Sequence, residues 1–336
     1  MNYREEINVS KKNKEEYLST LQDLIAKKQK DAFEARKEYA KDIIANGDKY
    51  RDEFKKMLGW PLVNETNNKI ELISKEKLAD EDGYSVWRMQ FEVLGCLRVS
   101  GLFFKQECEE KKPFVIVQHG GEGTPELISG IYNGDSSNYN DMLERTVKYG
   151  VHAFAPQVLL WNIEQFGVEY DRKNIDGQLK SIGGSITAVE IFAIQRILDY
   201  FEKEDYVSNF GMLGLSYGGF YTLFTTAVEK RIKSAVSCSF FNKRDAVGWS
   251  DWVWQNSAKM FDDAETACLV YPRKLCIRVG DKDDLFNYKK SEESFERVKE
   301  LCADVGMDWV DFEVFEGTHE FFYDDMPIER LVNDLK

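Results

Sequence analysis

Histidine is scarce in this chain. Only His119, His152 and His319 occur among 336 residues, so any chemistry that needs an imidazole must draw on one of three positions. Six cysteines (Cys96, Cys108, Cys238, Cys268, Cys276 and Cys302) are scattered, with no C-x-x-C pair and no metal-ligand spacing. That excludes a disulfide framework and a cysteine metal site, and the thiols, several of them in apolar runs, read as free and buried. No run of about 18 apolar residues is present, which excludes a membrane-spanning helix. The first residues, Met1 to Glu6, lack the apolar stretch of an export signal, so the expected location is the cytoplasm. Positive charge is also short. With 45 Lys and Arg against 59 Asp and Glu the net charge is −14, which argues against nucleic acid and anionic membrane as partners.

What is present suits a large enzyme-like core. A chain of this length buries roughly three quarters of its unfolded surface without covalent support. Residues 1–60 read as a helical arm, with Leu18, Leu21, Ile25, Phe33, Ala40 and Ile43 in an irregular apolar stripe, broken at Asn46-Gly47 and ended by Gly59-Trp60-Pro61. The arm is expected to pack on the domain after it, with oligomerisation through it as the competing use. Residues 61–336 change period. Strands are expected at Lys69 to Ser74, Ser85 to Val93 and Cys96 to Phe104, antiparallel around the turn Asp82-Gly83. Short apolar runs then alternate with helical segments: strands at Pro113 to Gln118, Val151 to Ala155, Val207 to Leu215, Ile232 to Phe240, Lys274 to Val279 and Trp309 to Phe315. The expected fold class is α/β, a mostly parallel central sheet with helices on both faces, plus an N-terminal helical extension.

The strand ending at Leu215 runs into Gly214-Leu215-Ser216-Tyr217-Gly218, a G-x-S-x-G turn between strand and helix. A serine forced into such a turn stands clear of the sheet beside the unpaired N–H groups of the next helix, where developing negative charge is favoured. A hydroxyl needs a base, and the base needs an acid to orient it. His319, in Glu316-Gly317-Thr318-His319 after the last strand, occupies the loop position where open α/β sheets place working residues. The acid must come from the preceding strand's loop, Gly280-Asp281-Lys282-Asp283-Asp284, where Asp283 is preferred over Asp281 and Asp284. His119-Gly120-Gly121-Glu122-Gly123 comes directly after the strand ending at Gln118. Its glycines allow backbone donors to approach an acyl oxygen, so the oxyanion hole is assigned to Gly121, Gly120 and Tyr217. His119 is expected to brace that loop, and His152 to be a satisfied core residue.

The order Ser216, Asp283, His319, with the glycine loop ahead of them, resembles the α/β-hydrolases, and among them the dienelactone hydrolase and acetyl xylan esterase-like group, from roughly Asn67 to the C-terminus. Dienelactone hydrolases use a cysteine nucleophile, so Ser216 moves the implied activity toward carboxylic esters. The propeller that precedes the hydrolase domain in prolyl-oligopeptidase relatives is replaced by some 60 helical residues, which weakens a peptidase reading. The resemblance implies a serine esterase for short acyl groups, above all acetyl, on an oligosaccharide or another small ester, with no metal or organic cofactor. A peptidase for short peptides and an inert binding protein of the same fold are the alternatives. Substrate contacts are expected from loops flanking the turn: Gln157, Trp161, Phe166, Tyr170 and Asp171 in one, and Phe241, Trp249, Trp252 and Trp254 in the other.

Overall fold

The computed structural model describes residues 1–63, 69–132, 137–161, 168–244 and 248–336. Among these residues nine strands form one sheet: β1 (Glu71–Glu81), β2 (Tyr84–Val93), β3 (Leu97–Gln106), β4 (Lys112–Gln118), β5 (His152–Pro156), β6 (Val207–Leu215), β7 (Ile232–Cys238), β8 (Lys274–Gly280) and β9 (Val310–Phe315). Their spatial order is β1-β2-β3-β5-β4-β6-β7-β8-β9. The first three strands and β5 pair antiparallel, and every pairing from β5 across β4 to β9 is parallel.

Eleven α-helices accompany them among the described residues. They are α1 (Ile7–Tyr39), α2 (Gly47–Leu58), α3 (Pro125–Ile128), α4 (Met142–Lys148), α5 (Arg172–Ser181), α6 (Ile186–Phe201), α7 (Tyr217–Val228), α8 (Ser257–Met260), α9 (Asp263–Cys268), α10 (Tyr288–Leu301) and α11 (Met326–Leu335). Along the parallel strands neighbouring residues serve opposite faces, as the two-residue side-chain period requires. Phe114 and Ile116 join one core cluster with α2, α6 and α7, whereas Val115 and Val117 join a second with α4 and α11. Both faces are therefore covered, which explains why these strands read as continuous apolar runs.

The first strand is longer than its apolar part. β1 continues through Lys75, Lys77, Asp80 and Glu81, residues too polar to suggest a strand, because it is a sheet edge with one neighbour and most of its residues face water. Charges on an edge also discourage pairing with another chain. Four cysteines are buried free thiols as expected, but Cys96 and Cys108 are exposed.

The arm has two unlike halves. Residues 7–31 of α1 are all exposed, and the first buried side chain is Ala32. Beyond it Arg36 anchors the helix, through Asp262 at 3.0 Å, Glu265 at 3.3 Å and the carbonyl of Ala258 at 2.8 Å. The second helix, α2, is core. Phe54 lies wholly buried against Phe224 of α7 and against Phe261, with ring centres 5.1 and 5.2 Å apart. All parallel strands end on one side, and the chain passes from β4 to β5 and then to β6 on the other flank of β4. The crevice outside such a reversal is where open α/β sheets bind ligands.

Candidate active site

Ser216 sits between the last residue of β6 and the first of α7 with φ 59° and ψ −118°, a conformation that costs a non-glycine residue about 1–3 kcal/mol. Bonds on both sides hold it there. Its N–H donates to the carbonyl of Cys238 at 2.9 Å, extending the β6–β7 ladder, and its carbonyl accepts from Phe220 N–H at 2.9 Å, the first bond of the helix. The turn is possible only because Gly218 has no side chain: a Cβ there would lie 2.1 Å from the carbonyl oxygen of Gln118, at the end of β4. The same approach brings the glycine loop to the serine. A Cβ on Gly120 would stand 3.3 Å from that of Ser216.

The carboxylate that meets the imidazole of His319 is Asp283. Its side chain has no solvent exposure, and it accepts three bonds: Leu285 N–H at 2.8 Å and Phe286 N–H at 2.9 Å on Oδ1, and His319 Nδ1 at 2.8 Å on Oδ2. Asp281 and Asp284 are exposed, and Asp281 instead ties the two loops together by accepting Gly317 N–H at 3.0 Å. With Oδ2 of Asp283 on Nδ1, the Nε2 side of His319 is left to work as a base. The imidazole stacks on Phe286, ring centres 5.6 Å apart. Its loop docks where the serine's does, for Glu320 C=O accepts from Ser239 Oγ at 3.0 Å and faces Cys238 Sγ at 3.4 Å, beside the carbonyl that holds Ser216 N–H. The structure thus brings Asp283 and His319 into a formed pair. No hydrogen bond joins the Ser216 hydroxyl to a described residue. In enzymes without substrate that contact is often long and tightens on binding.

The glycine loop departs in one respect from the sequence-based expectation. Gly120 N–H donates to the hydroxyl of buried Tyr139 at 3.0 Å, so it is not available to an oxyanion. The N–H groups of Gly121 and Tyr217, by contrast, meet no acceptor among the described residues. His119 braces the loop, with Nδ1 2.9 Å from Gly120 O and Nε2 accepting from Val158 N–H at 3.4 Å. Burial pushes its pKa down to about 4, which keeps it neutral. His152 is a satisfied core residue between Gln106 N–H at 3.0 Å and Tyr206 O at 3.3 Å.

Two expected substrate residues stand at the site. A Cβ on Gly121 would lie 3.0 Å from the indole of Trp161, so that ring packs against this glycine. Trp161 meets Trp249 edge to face at 5.0 Å, and Trp249 stacks on Tyr217 at 5.6 Å with the planes 5° apart. Trp252 and Phe286 carry the aromatic wall on to His319. Phe241 is a correction: it is wholly buried with its ring toward Phe312, because the chain after β7 turns that side chain into the core under α10. Gln157 donates to its neighbour's carbonyl at 2.8 Å and lies 3.4 Å from His119, a bracing position, and the Tyr170 hydroxyl is spent on Leu160 O at 2.8 Å. Phe166 lies outside the described residues. A cavity of about 490 Å³ opens beside the glycine loop, lined by Gly123, Thr124, Gln157, Leu159, Trp161 and Tyr170 among others, so Gln157 and Tyr170 also border it. Sequence reasoning missed Arg172, Glu190 and Asp251, buried polar residues behind this wall. No local motif marks them, for Arg172 and Asp251 are 79 positions apart.

No family model matches the chain, and neither does any curated protein sequence. Solved structures do. A candidate acetyl xylan esterase from Bacteroides fragilis matches with TM-score 0.66 at 15% identity, over 85% of this chain and 81% of the other. Acetyl xylan esterase 1 from Thermoanaerobacterium sp. matches with TM-score 0.56 at 17% identity, over 87% and 94%. A glucuronoyl esterase from Solibacter usitatus matches with TM-score 0.58 at 15% identity, over 80% and 86%. The fold is the α/β-hydrolase fold.

Proposed function

We propose that the protein is a serine hydrolase of carboxylic esters with short acyl groups, acetyl foremost. The observation that carries this reading is the buried carboxylate of Asp283 on Nδ1 of His319, in a loop docked on the strand end that holds the strained Ser216. In the proposed reaction Ser216 Oγ attacks the ester carbonyl while His319 Nε2 takes its proton, and the N–H groups of Gly121 and Tyr217 receive the charge on the carbonyl oxygen. Collapse breaks the bond to the alcohol oxygen, which leaves with the proton from His319. Water then gives its proton to His319 and its oxygen to the acyl carbon, and the serine regains its proton as the acid departs. The carboxylate of Asp283 holds the ring in the tautomer this requires.

Trp161 packed against Gly121 and closed by Trp249 supports a small acyl group, since the two indoles narrow the space beside the proposed oxyanion donors. Indole faces beside an open cavity also suit sugar rings, and the similar structures include proteins named as esterases of xylan and glucuronoyl groups. Acetylated oligosaccharides are therefore the proposed natural class. The test is fluorophosphonate labelling of wild type and Ser216→Ala, followed by p-nitrophenyl acetate, butyrate and octanoate. Labelling of the wild type alone, with acetate preferred, is expected. Equal labelling of both would overturn the serine mechanism, and preference for octanoate would overturn the acyl assignment.

A further inference from the structure

Behind the aromatic wall one cation touches three parts of the site. Arg172, the first residue of α5, is buried at 7% exposure. Its Nε donates to Asp251 Oδ2 at 2.8 Å, Nη1 and Nη2 each donate to the Glu190 carboxylate at 3.2 Å, Nη2 also donates to the Tyr221 hydroxyl at 2.8 Å, and Nη1 to the carbonyl of Leu159. All five guanidinium N–H groups are thereby used. Its centre stands 5.5 Å from that of the Tyr217 ring, whose hydroxyl donates to the same Asp251 oxygen at 2.9 Å. Glu190 in turn accepts the N–H of Leu159 at 3.0 Å.

These partners lie next to the residues that form the site. Leu159 is two positions before Trp161, Asp251 two after Trp249, and Tyr217 directly follows Ser216. Filling this space with apolar side chains would avoid the cost of removing three charges from water, so stability alone does not explain the arrangement. A fully bonded guanidinium supplies fixed directions instead, holding two loops and the elbow helix in one relation.

We propose that Arg172 sets the acyl-length limit, as a positioning residue that clamps Trp161 and Trp249 over the oxyanion donors through Leu159 and Asp251. The inference rests on the esterase reading of Ser216. Releasing the clamp lets the two indoles move off Gly121 and Tyr217, which admits longer acyl groups and loosens the fit to acetyl.

The experiment compares wild type, Arg172→Met and Asp251→Asn, the last retaining the shape and the Arg172–Glu190 pair should Arg172→Met fail to fold. Readouts are kcat/KM for p-nitrophenyl acetate and hexanoate, and labelling rates with short- and long-chain alkyl fluorophosphonates, which report Ser216 without turnover. The expected result is a fall of about tenfold or more in the acetate-to-hexanoate ratio for Asp251→Asn, matched by Trp161→Ala and not increased in the double variant, as two changes on one path require. A ratio within about twofold of wild type in cooperatively folded Asp251→Asn, with all rates lowered together, would show a merely structural role and overturn the proposal. Wild-type protein inert to every fluorophosphonate would instead overturn the esterase reading, and the inference with it.

Discussion

Replacing Asp283 by asparagine tests the site at its most defined point. The carboxylate accepts two backbone N–H groups on Oδ1 and the imidazole on Oδ2. In Asp283→Asn the side-chain oxygen stays with Leu285 and Phe286, because those donors have no other acceptor, and the amide NH₂ must face Nδ1. A donor facing Nδ1 forces the ring proton onto Nε2, the atom that in the proposed mechanism takes the proton of Ser216. The fold loses little, since the shape and both backbone bonds survive, and a cost of about 1 kcal/mol is expected. Catalysis loses far more: the wrong tautomer lowers kcat by about 10⁴, or about 5.5 kcal/mol of barrier. Initial rates on p-nitrophenyl acetate, with urea midpoints to confirm folding, read both effects. Asp281→Asn and Asp284→Asn serve as controls and should stay within a factor of about 5, since an asparagine oxygen can still accept Gly317 N–H and the other residue is exposed. Well-folded Asp283→Asn retaining more than about a tenth of the activity, or Asp281→Asn falling as far, would refute the reasoning.

Three further outcomes rest on the same geometry. Gly218→Ala places a methyl 2.1 Å from Gln118 O, so the end of β4 must shift with the glycine loop beyond it; a stability loss of about 3 kcal/mol and a fall in kcat of about 100-fold are expected in denaturation and rate measurements. Ser216→Ala and Ser216→Gly should both abolish labelling, but the glycine variant should be the more stable by about 1 kcal/mol in urea, because only it relaxes the positive φ. Burial pushes His152 down to about 4 from 6.5, so between those values the unfolded chain binds a proton that the folded chain refuses. Stability relative to His152→Gln should then fall by about 1.4 kcal/mol per unit as pH drops from 6.5 to 4, read as the difference between two urea series.

The parts of the site legible in the sequence are those with local signatures. Gly214 to Gly218 announce a turn that only small neighbours permit, and His319 stands out among three histidines. The preference for Asp283 rests on how a turn after a glycine must fold back, and in the structure that carboxylate lies 2.8 Å from the imidazole. The parallel strands are legible because burial on both faces makes them apolar throughout, whereas β1 reads short because its edge carries charge. What escapes the sequence depends on pairing across the fold. Tyr139 takes Gly120 N–H from 19 positions away, Phe241 turns from the site although it follows the right strand, and Arg172 finds Asp251 inside an insertion without a motif. Composition marks an aromatic or a charge as present, but not the face it presents.

The unlike halves of the arm imply two clocks in one chain. Residues 7–31 of α1 are all exposed, and a helix of that length with so little tertiary support is only marginally held in water. Its amides should exchange with deuterium at the pace of a free peptide helix, while those of α2, seated beside Phe224, should wait for the whole sheet to open. The boundary between fast and slow exchange should fall at Ala32 to Arg36, where the first buried methyl and the ion pairs to Asp262 and Glu265 join the rod to the body.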